Sequence, residues 1–224
     1  MLERIVIDGA VRELRPDVAV LAVTAEGLAN GPGDALTADW LALAAKAAAQ
    51  AADDPHLEAW RNAYRAFGAK PQRTRPSVDA LVRRADSLPQ INKVVDAYNA
   101  ISVEYALPVG GEDLDAYRGP ARLVRAAGDE PFDTVAGGEP AVEHPLPGEV
   151  VWRDDAGVTC RRWNWRQCVR TRITESTVNG LFLLERLDPY PLDRLRAAGD
   201  DLAARLRAIS PDVRIESRLI GADG

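Results

Sequence analysis

Histidine and cysteine are nearly missing from this chain, and that shortage narrows its chemistry first. Only His56 and His144 occur among 224 residues, so neither a histidine-centred metal site nor a Ser-His-Asp relay is expected. Cys160 and Cys168 are the two cysteines, and their spacing matches no zinc pattern. No metal and no cofactor is therefore expected. A run of about eighteen apolar residues is also absent, which excludes a membrane-spanning helix. The opening residues, Met1 to Asp8, lack the basic-then-apolar layout of a secretory leader, so a cytoplasmic location is expected. Positive charge is in deficit: 28 Lys and Arg against 34 Asp and Glu give a net charge of −6. That balance argues against a generally basic nucleic-acid binder, DNA-binding proteins included.

What the chain does have is apolar mass and unevenly placed charge. With 46% hydrophobic residues it can bury a sizeable core within one domain. Lys70, Arg73, Arg75, Arg83 and Arg84 form one basic stretch, and Arg153, Arg161, Arg162, Arg166, Arg170 and Arg172 form another. A local basic surface on an acidic protein remains compatible with a nucleic-acid partner.

Apolar periodicity supplies the elements. Val18 to Val23 is a short β-branched run, predicted as a buried strand. A helix is expected from Thr37, as its N-cap, to about Ala52, and a second from Pro55 with Leu57, Trp60, Tyr64 and Phe67 at helical spacing. That aromatic stripe suits a core better than a base-stacking surface. Ala69 to Ser77 carries three cations between two prolines, either a solvated connector or a phosphate contact. Ser77 with Asp79 is expected to cap the next helix. Val150 to Trp152 and Val158 to Cys160 flank an acidic, glycine-ended turn and predict a hairpin. Gly180 to Leu184 suits a central strand, Leu192 to Ile209 an amphipathic helix, and Val213 to Ile220 a last strand beside Val18–Val23.

Two stretches stand out chemically. The first is a helix-like run from Ile91 to Glu104 followed by Leu107-Pro108-Val109-Gly110-Gly111-Glu112-Asp113. Paired glycines let backbone N–H groups approach a ligand, and Asn99 offers an amide from an otherwise apolar face. A plain helix C-cap with a turn is the other reading. The second is Cys160-Arg161-Arg162-Trp163-Asn164-Trp165-Arg166. In a strand, Arg162, Asn164 and Arg166 share one face and the two tryptophans the other. Arginine beside aromatic surface holds nucleotides by charge and stacking; core tryptophans with solvated arginines are the alternative.

These two stretches carry a resemblance. Val95-Asp96, Asn99, Pro108 and Asp113 follow the pattern of the B3/B4 domain of the bacterial phenylalanyl-tRNA synthetase β subunit. Cys160 to Arg166, with Thr171 and Thr174-Glu175-Ser176-Thr177-x-Asn179 behind it, is similar to freestanding B3/B4-domain proteins. The likeness runs from about Trp60 to Leu187. It implies a single α+β domain over 1–224 with mixed sheets and flanking helices. The B3/B4-like core would span about 60–187, with elements 1–55 and 190–224 packed on it.

The resemblance also implies an editing function: hydrolysis in trans of the ester on a mischarged tRNA, as in the canavanyl-tRNA deacylases that act on arginine tRNA. Asn99 then stands as the catalytic residue. Pro108, Asp113, Trp163, Asn164 and Trp165 stand as substrate-binding residues, and Arg161, Arg162 and Arg166 as tRNA-binding ones. Gly110 falls where the synthetase has a histidine, so no catalytic histidine comes with the likeness. Ester hydrolysis then rests on a positioned water, with N–H donors expected from Gly110 and Gly111. Glu112 or Asp113 would receive a cationic amino acid. The rival expectation is a non-catalytic tRNA or small-ligand binding module. The aminoacylated 3′ end of tRNA is the expected partner, with no membrane and no DNA.

Overall fold

The computed structural model describes residues 1–221. Strand β1 (Val6–Ile7) and helix α1 (Gly9–Leu14) lead into β2 (Ala19–Glu26), α2 (Ala35–Ala52), α3 (Pro55–Ala66), α4 (Ser77–Val82) and α5 (Lys93–Glu104). A run of strands follows: β3 (Val109–Asp113), β4 (Arg122–Arg125), β5 (Phe132–Ala136), β6 (Glu139–Glu143), β7 (Val150–Arg153), β8 (Val158–Arg161) and β9 (Arg166–Gln167). The chain then forms β10 (Asn179–Arg186), α6 (Leu192–Ile209) and β11 (Arg214–Gly221).

The strands build a four-stranded sheet in the order β11-β2-β10-β3, a five-stranded sheet in the order β1-β4-β7-β8-β9, and the separate hairpin β5-β6. With its flanking helices this is a single α+β domain. Strands β2 and β10 are buried on both faces. Val20, Ala22, Leu181 and Leu183 pack towards Trp60 and Tyr64 of α3 and Trp152 of β7. Leu21, Val23, Phe182 and Leu184 pack towards Val95 and Ile101 of α5 and Leu195 and Leu202 of α6. A strand covered on both sides has no solvent face, which is why both segments are continuous apolar runs. At roughly 2 kcal/mol per fully buried large side chain, Leu181 to Leu184 outweigh the cost of the one carboxylate that ends their run, Glu185.

Local chemistry sets the element ends. Helix α2 starts two residues before Thr37. Asp34 is its cap, accepting from Thr37 N (3.1 Å), while Asp34 N donates back to Thr37 Oγ1 (3.1 Å). The reciprocal bonds satisfy two donors and move the start of the helix. Pro55 opens α3 as expected, and its aromatic stripe is core. Helix α4 has Pro76 at its cap position and no side-chain capping bond. Asp79 instead accepts from Arg61 (2.8 Å) and Arg83 (3.1 Å). Helix α6 and the β7–β8 hairpin fall where the sequence places them, and β11 pairs with β2 in antiparallel register.

The largest departure is at the glycines. Helix α5 reverses earlier, through Tyr105 to Leu107, with Ala106 at φ 51°. Ser102 closes the reversal: its hydroxyl donates to Leu107 O (2.6 Å) and its carbonyl accepts from Leu107 N (3.0 Å). Val109 to Asp113 is then a strand, not a turn. A Cβ at Gly111 would meet the Tyr98 ring at 2.6 Å, so glycine is needed there for the α5–β3 approach.

Candidate functional site

Side-chain parity along β3 and β10 builds the floor of a cavity. Register pairs Leu181 with Glu112 and Leu183 with Gly110, and Glu185 N donates to Pro108 O (3.0 Å). Successive strand residues face opposite sides, so Gly110, Glu112, Leu183 and Glu185 share a face while Gly111 and Asp113 take the other. The cavity above that face has a volume of about 260 Å³. Its walls are Val95, Tyr98 and Asn99 of α5, Ser77 and Arg84 from the α4 region, Trp152 and Cys160 of the second sheet, and the segment Trp163 to Gln167.

The two chemically distinct stretches of the sequence therefore meet at one place. Asn99 shares a helix face with Val95, four residues before it, and both line the cavity together with Ile91, which lies just ahead of the helix cap. Helix α5 is held there by its own polar residues. Asn92 caps it through Val95 N (3.0 Å), and Asp96 accepts from Ile91 N (2.8 Å) and from Thr37 Oγ1 of α2 (3.0 Å). Among the described residues, the Asn99 side chain makes no hydrogen bond of its own, and Ser77 Oγ is buried without a partner.

The arginine–tryptophan segment is a tight connection between β8 and β9, not a continuous strand. Arg162 and Trp163 have φ of 48° and 68°, and Trp163 N donates to Val150 O (2.6 Å). The reversal separates the two tryptophans that strand alternation would have placed together. Trp163 is fully buried, edge-on to Trp60 at 5.1 Å between centroids. Trp165 is half-buried at the cavity, with the Arg162 guanidinium 4.3 Å from its ring centroid. Arg166 lies over Trp165 and Phe132, at 5.7 and 5.6 Å, and bonds Thr134.

Several predicted site residues are committed elsewhere. Asn164 lines the cavity, but its carbonyl accepts from Tyr64 OH (2.9 Å) and its amide donates to Glu185 (2.9 Å), so it ties α3 to β10. Pro108 is buried just ahead of β3 and does not line the cavity. Asp113 faces away, accepting from Thr177 Oγ1 (2.7 Å) and from Asp115 N (3.0 Å). The sequence treats Glu112 and Asp113 as equivalent acids; strand parity separates them. Arg161 is 6% exposed and forks onto Glu149 with two bonds of 2.9 Å, with Glu143 at 2.8 Å, which removes it from the set available to phosphate. The glycine N–H donors are also reduced. Antiparallel alternation from the Glu185–Pro108 bond commits Gly110 N–H to the Leu183 carbonyl and turns Gly111 N–H away from β10.

Two acids on the cavity floor carry perturbed protonation. Burial pushes the Glu112 carboxyl up to about 8, against the opposing hydrogen bond from Thr171 and the charge of Arg170. Burial likewise raises Glu185 to about 7, while Asn164 and Trp152 Nε1 (2.6 Å) donate to it. Trp163 also favours the ionised form of Glu185, although its Nε1 completes no hydrogen bond. Glu185, Gln167 and Ser77 are the cavity residues that sequence reasoning missed. A glutamate directly after the apolar run Leu181–Leu184 was the available signal for the first of them.

Neither histidine lines this cavity. His56 is a buried structural residue: Trp60 Nε1 (3.0 Å) and Leu187 N (3.1 Å) donate to its Nε2, and its Nδ1 donates to Ala106 O (2.9 Å). Burial drives its pKa down to about 4, so it is neutral. Cys160 and Cys168 are both buried and free. Among the described residues no cluster of His, Cys, Asp or Glu suits a metal ion, and no helix is long and apolar enough to cross a membrane.

Comparison with known proteins agrees with this architecture. The B3/4 domain family matches residues 59–197, more than half of the chain, and the protein belongs to that family. Among solved structures it is similar to an N-terminal fragment of the phenylalanyl-tRNA synthetase β subunit from Pyrococcus horikoshii. The TM-score is 0.50 at 13% identity, and the match covers 97% of this chain and 54% of that one. The chain thus spans about half the length of that fragment, and the likeness is one of fold. No curated protein matches it.

Proposed function

We propose that this protein is a trans-editing aminoacyl-tRNA deacylase, serving translation quality control by hydrolysing the ester of a mischarged tRNA. One observation carries the reading: Asn99, with an uncommitted amide, shares a cavity with Trp165, Arg166 and two buried carboxyls. In this mechanism the aminoacyl ester enters the cavity and the Asn99 amide holds the attacking water or the developing oxyanion. Water adds to the ester carbonyl, the bond to the ribose oxygen breaks, and the proton that the water gives up ends on that oxygen, so the step balances without a net proton from the protein. Trp165 and the stacked Arg162 and Arg166 hold the terminal nucleotide.

Glu112 and Glu185 also favour an arginine-like amino acid such as canavanine. A guanidinium in the cavity would meet two carboxyls whose ionisation it favours. Gly110 supports a bulky substrate, because a Cβ there would have no neighbour closer than Gln167 Nε2 at 3.9 Å. A second reading, a non-catalytic tRNA or ligand-binding module, is favoured by one observation: His56 and His144 both lie outside the cavity.

Deacylation of a panel of purified aminoacyl-tRNAs decides between the two. Release of one mischarged amino acid, reduced about 100-fold or more in Asn99→Ala with tRNA binding retained, supports the deacylase. Because Asn99 has no partner in the fold, its loss should shift stability by no more than about 0.5 kcal/mol. Binding without turnover on every ester would establish the binding module instead.

A further inference from the structure

A second cavity, also of about 260 Å³, shares no lining residue with the first. Phe67, Lys70, Arg73, Thr74, Glu149 and Arg162 line it. Three cations and one carboxylate border it, and both oxygens of Glu149 already accept from Arg161, with Arg162 Nε 3.8 Å away. Lys70 and Arg73 are exposed. Among the described residues neither reaches an acid, whereas the nearby Arg65 and Arg75 pair with Glu58 and Asp79.

The Lys70–Thr74 segment is not an extended connector. Lys70 O accepts from both Arg73 N (2.9 Å) and Thr74 N (3.0 Å), which curls the loop so that both cations border the same cavity. Arg162 joins the two cavities: it lines this one and stacks on Trp165 of the other. Its backbone is left-handed, as is that of Trp163, a strained conformation for residues with a Cβ. The fold holds that strain with Trp165 N donating to Arg161 O (3.0 Å) and Trp163 N to Val150 O. A half-buried guanidinium fixed between two openings, beside two unpaired cations, is an anion path on a protein of net charge −6.

We infer that the second cavity receives the phosphodiester backbone of an RNA strand whose terminal, ester-bearing nucleotide occupies the first. The identity of the strand rests on the deacylase reading; the anion site rests on Lys70, Arg73 and Arg162. The test is fluorescence anisotropy of a labelled, uncharged single-stranded RNA ending in CCA, titrated with the full chain across a salt series. Lys70→Ala/Arg73→Ala is compared with Arg196→Ala/Arg207→Ala, which removes the same charge from exposed positions on α6.

Loss of two phosphate contacts should weaken binding about tenfold at low salt and reduce the logarithmic salt slope by about 1.4. The α6 control should change affinity less than about twofold. Equal behaviour of the two variants would overturn the proposal. The RNA carries no ester, so the outcome is independent of hydrolysis. Equal binding with deacylation intact rejects this cavity alone. The expected contrast with no aminoacyl-tRNA cleaved keeps the cavity and rejects the deacylase.

Discussion

The same fold treats two sets of buried acids in opposite ways. Glu149, 3% exposed, sits in the fork of Arg161, which also holds Glu143. Glu112 and Glu185, equally buried, receive bonds from a threonine, two neutral N–H donors and no guanidinium. Arg170, whose charge acts on Glu112, is committed to Asp154 by bonds of 2.8 and 2.9 Å. A carboxylate with a permanent cation is neutralised and structural. One held by dipoles alone keeps its capacity to exchange a proton or to meet a cation from solution. The first kind braces the β8–β9 connection, and the second kind lines the cavity.

Breaking the braced pair should give the largest effect. Arg161→Ala leaves Glu149 buried with the Arg162 backbone N–H (3.1 Å) and the longer Arg162 guanidinium contact (3.8 Å), and should cost roughly 3 kcal/mol, read from urea unfolding. Equal loss in an Arg161→Ala/Glu149→Gln double variant would show that the pair is not the unit of stability. The cavity acid should respond differently, with an effect that depends on pH. Glu112 is raised on folding, so its contribution is complete below its ordinary value of 4.5 and is lost as pH climbs towards 8. Glu112→Gln removes that loss. Its stability relative to the parent should therefore rise between pH 5 and 9, at roughly 1.4 kcal/mol per unit over the affected range.

His56 supplies the opposite limb. Its value falls on folding, so its contribution is complete above 6.5 and is lost as pH drops towards 4. Unfolding midpoints taken from pH 7 to 4 should fall more steeply in the parent than in His56→Gln, by about one proton's worth of slope. Between 4.5 and 6.5 the histidine and the two raised carboxyls act against each other. Smallest of all, Arg162→Lys keeps the charge but loses the planar stack on Trp165, and should change stability by less than about 1 kcal/mol. A larger loss would mean that Arg162 braces its turn as Arg161 does.

Much of the scaffold was legible before the structure. Helices α2, α3 and α6 and strands β2 and β10 follow from apolar spacing, because that signal is local and repeated. Asn99 was legible as the one amide on an apolar helix face. The rest depended on which face a strand residue takes. Gly110-Gly111 carries low strand propensity, and only the Tyr98 ring against Gly111 and the opening above Gly110 explain why the pair lies in a strand. Once it does, Glu112 belongs to the cavity and Asp113 does not. Arg161 was indistinguishable from Arg162 and Arg166 in sequence, since its acid Glu149 lies on a different strand connection. Glu185 went unnoticed because its partners, Trp152 and Asn164, come from the other sheet and from the β8–β9 turn.

Strand β2 pairs along its whole length with β10 on one side and β11 on the other. Both partners are made long after it during synthesis. An apolar strand with two open edges therefore emerges from the ribosome and waits for most of the chain before either edge is closed. Such long-range pairing slows folding and leaves a template for mispairing with other chains in the interval. The four-stranded sheet, and with it the floor of the cavity, should be among the last parts of the molecule to become protected from hydrogen exchange during refolding.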